Sequence, residues 1–263
     1  MPLATNLGFP RIGAGRELKR ALELYWRGGS GADALLETAR ILREAHWRQQ
    51  AAQGIDHIPS GDFSLYDHVL DTAVLVGAVP RRYGWSGGVV GLDTYFAMAR
   101  GIQEKDLDVE RAGTPAMEMT KWFDTNYHYI VPELGADQTF ALTSDEPVLR
   151  LREARALGIE TRPVLLGPVS FLLLGKAPAG DVAPLVLLDR LLPVYIQVFE
   201  SLAAAGADWI QVDEPWLVRD LDDDARVAYR RAYESLAGVD GVRTLLTSYF
   251  GGLGENLDLA LSL

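Results

Sequence analysis

The sequence predicts an α/β fold of the (β/α)8-barrel type, with the barrel incomplete towards the C-terminus. Two observations carry this. From about position 147 onward the pattern alternates helix, strand, helix, strand, helix, strand. The strands in that stretch, "TRPVLLGPVS", "DWIQVDEP" and "VRTLLTSYFGG", are nearly continuous apolar runs, as expected of a parallel sheet covered on both faces.

Along the chain, "TNLGFP" reads as a short first strand running into the loop "RIGAG". A helix follows over about Arg16–Arg27, with Leu18, Ala21, Leu22 and Tyr25 on one face. Ser30 with Asp33 suggests a capping box for a long helix that ends near Gln53, with Gly54 as its C-terminal glycine. "IDHIPSGDF" is strand-like, and a short helix spans about Tyr66–Val74, with Asp62 and Ser64 as its candidate caps. After a Gly- and Arg-rich loop over 80–91, a helix near Asp93–Arg100 leads into a polar, mobile stretch, Glu104–Pro115. "EMTKWFDTNYHYIVPE" then begins with strand character. Helices are expected over about Pro147–Leu157, Ala183–Ala205 and Asp223–Leu236. The pattern supplies six or seven strand–helix units of the eight in a closed barrel. No linker divides the chain, so residues 1–263 are read as one domain.

Composition narrows the function. Among 263 residues, 48% are apolar and 23% charged, as in a globular protein. No apolar run approaches the roughly 18 residues of a membrane span, and the first residues lack the pattern of a signal peptide. The expected address is therefore cytoplasmic. A net charge of -11 disfavours nucleic acid and anionic membranes as partners. With no cysteine, the chain holds neither a disulfide nor a thiolate–zinc site.

Four places at predicted strand ends carry chemistry. Arg16 and Lys19 lie in the first turn of the first helix, where exposed amides and two cations suit an anion. The solvated face of a helix is the plain alternative. Lys121 sits beside Trp122 and Phe123, with Asp124, Asn126 and His128 close by, and suits a carboxylate or phosphate. Asp213 and Glu214 end a buried strand, where adjacent carboxylates suit a base, an acid or a cation ligand and alternation turns only one of them towards the axis; a carboxylate capping the next helix is the plain alternative. His68 beside Asp67 reads as a satisfied structural histidine, because helical neighbours do not face each other. These residues indicate an anion site made by Arg16, Lys19 and Lys121; they do not give a reaction.

Six long segments occur in order: "LGFPRIGAGRELKRALELYWRG", "GIDHIPSGDFSLYDHVL", "EMTKWFDTNYHYIVPE", "PVLLGPVSFLLLGK", "LLPVYIQVFESLAAAGADWIQVDEP" and "LLTSYFGG". Together they resemble the N-terminal domain of the cobalamin-independent methionine synthases, from about residue 4 to the end. The resemblance implies two facing (β/α)8 barrels and transfer of a methyl group from 5-methyltetrahydropteroyltriglutamate to homocysteine. It implies no cobalamin, and a zinc ion, which activates homocysteine, held in a C-terminal barrel that this chain lacks. It assigns binding of the polyglutamyl folate to Arg16, Glu17, Leu18 and Lys19 of "RELK" and to Lys121 of "EMTKWF". It assigns no catalytic residue and no metal ligand here, and the chain by itself is expected to be inactive. A second reading is a non-catalytic folate-binding or scaffolding chain that works with a separate zinc-bearing chain.

Overall fold

A computed structural model describes residues 3–102, 113–179 and 181–263. The stretch expected to be mobile lies outside the described residues as far as position 112. In chain order the elements are α1 (Glu17–Trp26), α2 (Ala32–Ala52), β1 (Ile58–Ser60), α3 (His68–Leu75), α4 (Leu92–Arg100), β2 (Met119–Lys121), β3 (His128–Ile130) and α5 (Glu146–Ala156). They continue as β4 (Thr161–Leu166), α6 (Pro168–Leu174), α7 (Leu188–Ala204), β5 (Trp209–Asp213), α8 (Asp223–Ala237), β6 (Arg243–Thr247) and α9 (Leu257–Leu261).

Among the described residues, β1, β4, β5 and β6 form a parallel sheet in the order β1-β4-β5-β6. The expected first strand is reduced to one parallel bridge, Thr5 with His57, beside the start of β1. The sheet thus has fewer strands than the six or seven expected. The main reason is local. "EMTKWFDTNYHYIVPE" folds back on itself at Asp124–Asn126, and β2 pairs with β3 antiparallel as a separate ribbon. The parallel sheet, with helices between its strands, is common to α/β barrels and open α/β folds.

The caps also differ from expectation. α2 starts after Gly31 with no side-chain cap, so Ser30 and Asp33 form no capping box. Asp67, rather than Asp62 or Ser64, caps α3, by accepting from Leu70 N at 3.1 Å. Asp62 instead accepts from Phe9 N at 2.7 Å and ties the first segment to the end of β1. α6 directly follows β4 and was not anticipated, because "PVSFLLL" is apolar on every side and shows no helical period. The helix expected from Ala183 starts at Leu188, after a 3-10 turn over Pro184–Leu187.

α7 and α8 cover the sheet with the fully buried rings of Tyr195, Phe199 and Tyr229. Tyr195 donates to Leu166 O at 2.6 Å and fixes α7 over the C-terminal end of β4. The strands therefore end on a well-anchored layer, and the polar residues at those ends are held in fixed positions.

Candidate functional site

The four residues of "RELK" divide into two that build and two that face outward. Arg16 precedes α1 in the left-handed conformation, φ 60° and ψ 36°. The turn is closed by Arg16 N donating to Gly13 O at 3.0 Å. The Glu17 carboxylate accepts from Gly15 N at 3.0 Å and holds the glycine loop against the helix. Leu18 is fully buried in the core. Its side chain anchors α1 and offers nothing to a ligand. Arg16 is exposed, and its guanidinium has no partner among the described residues. Lys19 is 47% exposed and, among the described residues, pairs only with Glu23 at 3.6 Å, a surface ion pair that contributes about 0.5 kcal/mol or less.

Lys121 ends β2, exposed and without an ion-pair partner among the described residues. In the ribbon it lies opposite His128. Met119 and His128 line a groove of about 280 Å³ together with Lys19, Trp26, Tyr66 and Tyr129. Alternation puts Lys121 on the same face of the ribbon as Met119. The structure therefore brings the start of α1 and the Lys121 ribbon to two sides of one groove, although their residues lie far apart in sequence. Asp67 sets the ribbon's position. Its carboxylate caps α3 and also accepts from Ile130 N at 2.9 Å. Burial pushes Asp67 up to about 6.

A second concavity, of about 530 Å³, opens at the C-terminal ends of the parallel strands, and Asp62, His68, Asp71, Asp213 and Tyr249 are among its lining residues. Asp213 accepts from Gln211 Nε2 at 2.6 Å and from Tyr249 OH at 3.2 Å. Burial raises Asp213 to about 6. Glu214 points the other way. It is fully buried and accepts from Ser170 N at 2.8 Å and Val169 N at 3.4 Å, and so caps α6. Burial raises it to about 7. The two carboxylates thus separate, as alternation requires, into one lining residue and one cap.

His68 departs from the structural role expected of it. Its Nε2 is buried without a hydrogen-bond partner among the described residues, Nδ1 stands 3.8 Å from Asp67 Oδ1, and the ring stacks on Trp122 at 5.4 Å. Burial lowers its pKa. His46 is a core histidine, packed against Phe9 at 4.6 Å. His57 lies beside Trp209, at the end of the sheet away from the concavity.

Two features escaped the sequence reading. Arg162 was absorbed into an apolar strand, yet it is buried and donates to Gln211 Oε1, Thr5 Oγ1, His57 O and Asn6 O. The aromatic residues beside Lys121 also continue into a larger array with Tyr127 and Phe250. Among the described residues, no group of His, Asp or Glu side chains is arranged to hold a metal ion. The described residues do not fit a zinc centre.

The family model described as "Cobalamin-independent synthase, N-terminal domain" matches residues 3–263. The 5-methyltetrahydropteroyltriglutamate–homocysteine methyltransferase of Caulobacter vibrioides is 61% identical, over 98% of this chain and 35% of the relative. That of Salinibacter ruber is 57% identical, over 100% of this chain and 34% of the relative. The chain thus spans about a third of the length of these curated relatives. Among solved structures, a B12-independent methionine synthase from Shewanella sp. W3-18-1, in complex with selenomethionine, superposes with a TM-score of 0.59 at 15% identity. That match covers 85% of this chain and 55% of the other. A putative vitamin-B12 independent methionine synthase from Listeria monocytogenes gives a TM-score of 0.58 at 13% identity, over 98% of this chain and 70% of the other. At those identities the likeness is one of fold. The sequence matches go further: the chain belongs to the cobalamin-independent methionine synthase family and corresponds to its N-terminal domain.

Proposed function

We propose that this chain is the folate-binding part of a cytoplasmic methyltransferase that moves a methyl group from 5-methyltetrahydropteroyltriglutamate to homocysteine, yielding methionine. In this reading residues 1–263 are a single (β/α)8-type barrel domain. Zinc and homocysteine belong to a C-terminal barrel outside this sequence, consistent with a chain that has no cysteine. The curated relatives' names supply both substrates.

One observation supports the assignment most. Lys19 lines one groove with Met119 and His128 of the ribbon, and Arg16, at the start of the same helix, and Lys121, on the ribbon face of Met119, are exposed cations without ion-pair partners among the described residues, in a protein whose net charge is -11. Unspent positive charge, concentrated in one place on an acidic surface, suits a polyanion. A γ-linked glutamate tail is such a ligand, and its carboxylates accept charge-assisted hydrogen bonds from Arg and Lys. Glu17 and Leu18 serve the same site indirectly, by fixing the loop and the helix that present Arg16 and Lys19.

Replacing Arg16, Lys19 and Lys121 together by Ala is expected to weaken pteroyltriglutamate binding roughly a hundredfold in a calorimetric titration, or about 3 kcal/mol over three contacts. All three side chains are exposed, so the thermal melt should hardly move. An unchanged affinity would overturn the assignment. The purified chain is also expected to bind the folate without transferring its methyl group to homocysteine, and turnover by the chain alone would contradict the placement of the zinc chemistry.

A further inference from the structure

Trp122 is 2% exposed and underlies a small aromatic surface beside Lys121. Its ring meets Tyr129 at 4.8 Å, Phe250 at 5.4 Å and Phe123 at 6.0 Å. Two rings of this array reach solvent together. Tyr127 is 70% exposed and Phe250 37%, with centroids 6.3 Å apart and planes inclined by 36°. Tyr127 comes from the β2–β3 turn, and Phe250 from the loop after β6. Single exposed apolar side chains are ordinary; here two adjacent exposed rings stand together, and Phe250, one of them, is seated on a buried tryptophan.

The backbone supports the same view. Among the described residues, the non-glycine residues with positive φ are Arg16, Phe123 and Phe250, at 60°, 50° and 78°. Such conformations persist where the surroundings over-determine them, and they concentrate at ligand sites. One is the Arg16 of the proposed tail site, and the other two hold this aromatic surface. Lys121 joins the two regions, since it immediately precedes Trp122 on the ribbon and Trp122 N donates to Tyr127 O at 2.8 Å. A ligand that fits both has a flat aryl group joined to a chain of carboxylates.

We infer that Tyr127 and Phe250 form a stacking platform for the p-aminobenzoyl ring of the polyglutamyl folate, continuous with the Lys121 contact to its tail. The inference rests on the folate reading above and deepens it. Rigid aromatic side chains stack on a flat ring at little cost in conformational freedom, and the preferred geometry is offset or tilted, as between these two rings.

Calorimetric titration of the 263-residue chain with two probes, pteroyltriglutamate and the γ-linked triglutamate peptide that lacks the aryl group, tests this. Tyr127→Ala should weaken the first about tenfold and leave the second unchanged, while Tyr127→Phe retains both affinities. Phe250→Leu should repeat the selective loss, with a thermal melt confirming the fold. Lys121→Ala should weaken both probes. If Tyr127→Ala binds pteroyltriglutamate as the parent chain does, or weakens both probes equally, the platform is refuted and the tail site stands. If the parent chain binds neither probe, the folate reading fails, and the platform with it.

Discussion

Gly167→Ala is expected to destabilise the protein by about 3–5 kcal/mol, more than any surface substitution named above. Gly167 has ordinary dihedrals, φ -69° and ψ 148°, so alanine meets no backbone strain there. The cost is steric and electrostatic. A β-carbon at 167 would lie 2.1 Å from both Cδ and Oε1 of Glu214. Glu214 is fully buried, so its carboxylate has no solvent to retreat into. Pushed aside, it loses Ser170 N and Val169 N, and the first turn of α6 loses its cap. A buried carboxylate without donors is among the costliest single defects in a core. Urea denaturation of Gly167→Ala, Glu214→Ala and the double variant checks this. The double variant should lose much less than the sum of the two singles, because removing the carboxylate removes the clash. A loss below about 1 kcal/mol for Gly167→Ala would contradict the account.

Arg162→Leu is the second large effect, expected at about 3–5 kcal/mol. The guanidinium is buried and links strands that no ladder joins directly. It donates to Gln211 Oε1 on β5, to His57 O ahead of β1, and to Thr5 Oγ1 and Asn6 O of the first segment. Leucine fills part of the space and leaves the buried Gln211 Oε1 without its donor, at a cost of about 1–3 kcal/mol, while His57 O and Asn6 O keep Thr5 Oγ1. The change also reaches the concavity. Arg162 holds Gln211 Oε1, which turns Gln211 Nε2 onto Asp213. Hydrogen exchange should therefore show lost protection at His57, whose amide donates to Ala4 O. Unfolding by urea gives the total loss. Full retention of stability would mean that the other contacts of the first segment, among them Phe9 N with Asp62 and His57 N with Ala4 O, suffice to hold it.

Both predictions concern residues that the sequence hides. β4 was legible as a strand from "PVLL", yet Arg162 was read within an apolar run because it shares a face with the apolar Val164 and Leu166. Glu214 was legible as one of two carboxylates at a strand end, and alternation correctly separated it from Asp213. Its target, α6, was invisible because an all-apolar helix shows no face. α7 and α8 were readable within a few residues, since each is long and amphipathic. Arg16, Lys19 and Lys121 were legible as cations at element ends. The approach of α1 and the Lys121 ribbon to one groove depends on the β2–β3 pairing and on the Asp67 contact to Ile130, which are tertiary facts. The aromatic surface was half legible. Trp122 and Phe123 stood beside Lys121, but Phe250 joins them only through the loop after β6.

The central claim is that the cations around the α1–ribbon groove bind the glutamate tail of a folate. It is tested most directly by titrating the chain with pteroylmonoglutamate and pteroyltriglutamate at two salt concentrations. The account predicts that the triglutamate binds at least tenfold more tightly at low salt, and that the advantage shrinks as salt screens the exposed cations. Equal affinity for the two tail lengths, unchanged by salt, would contradict it.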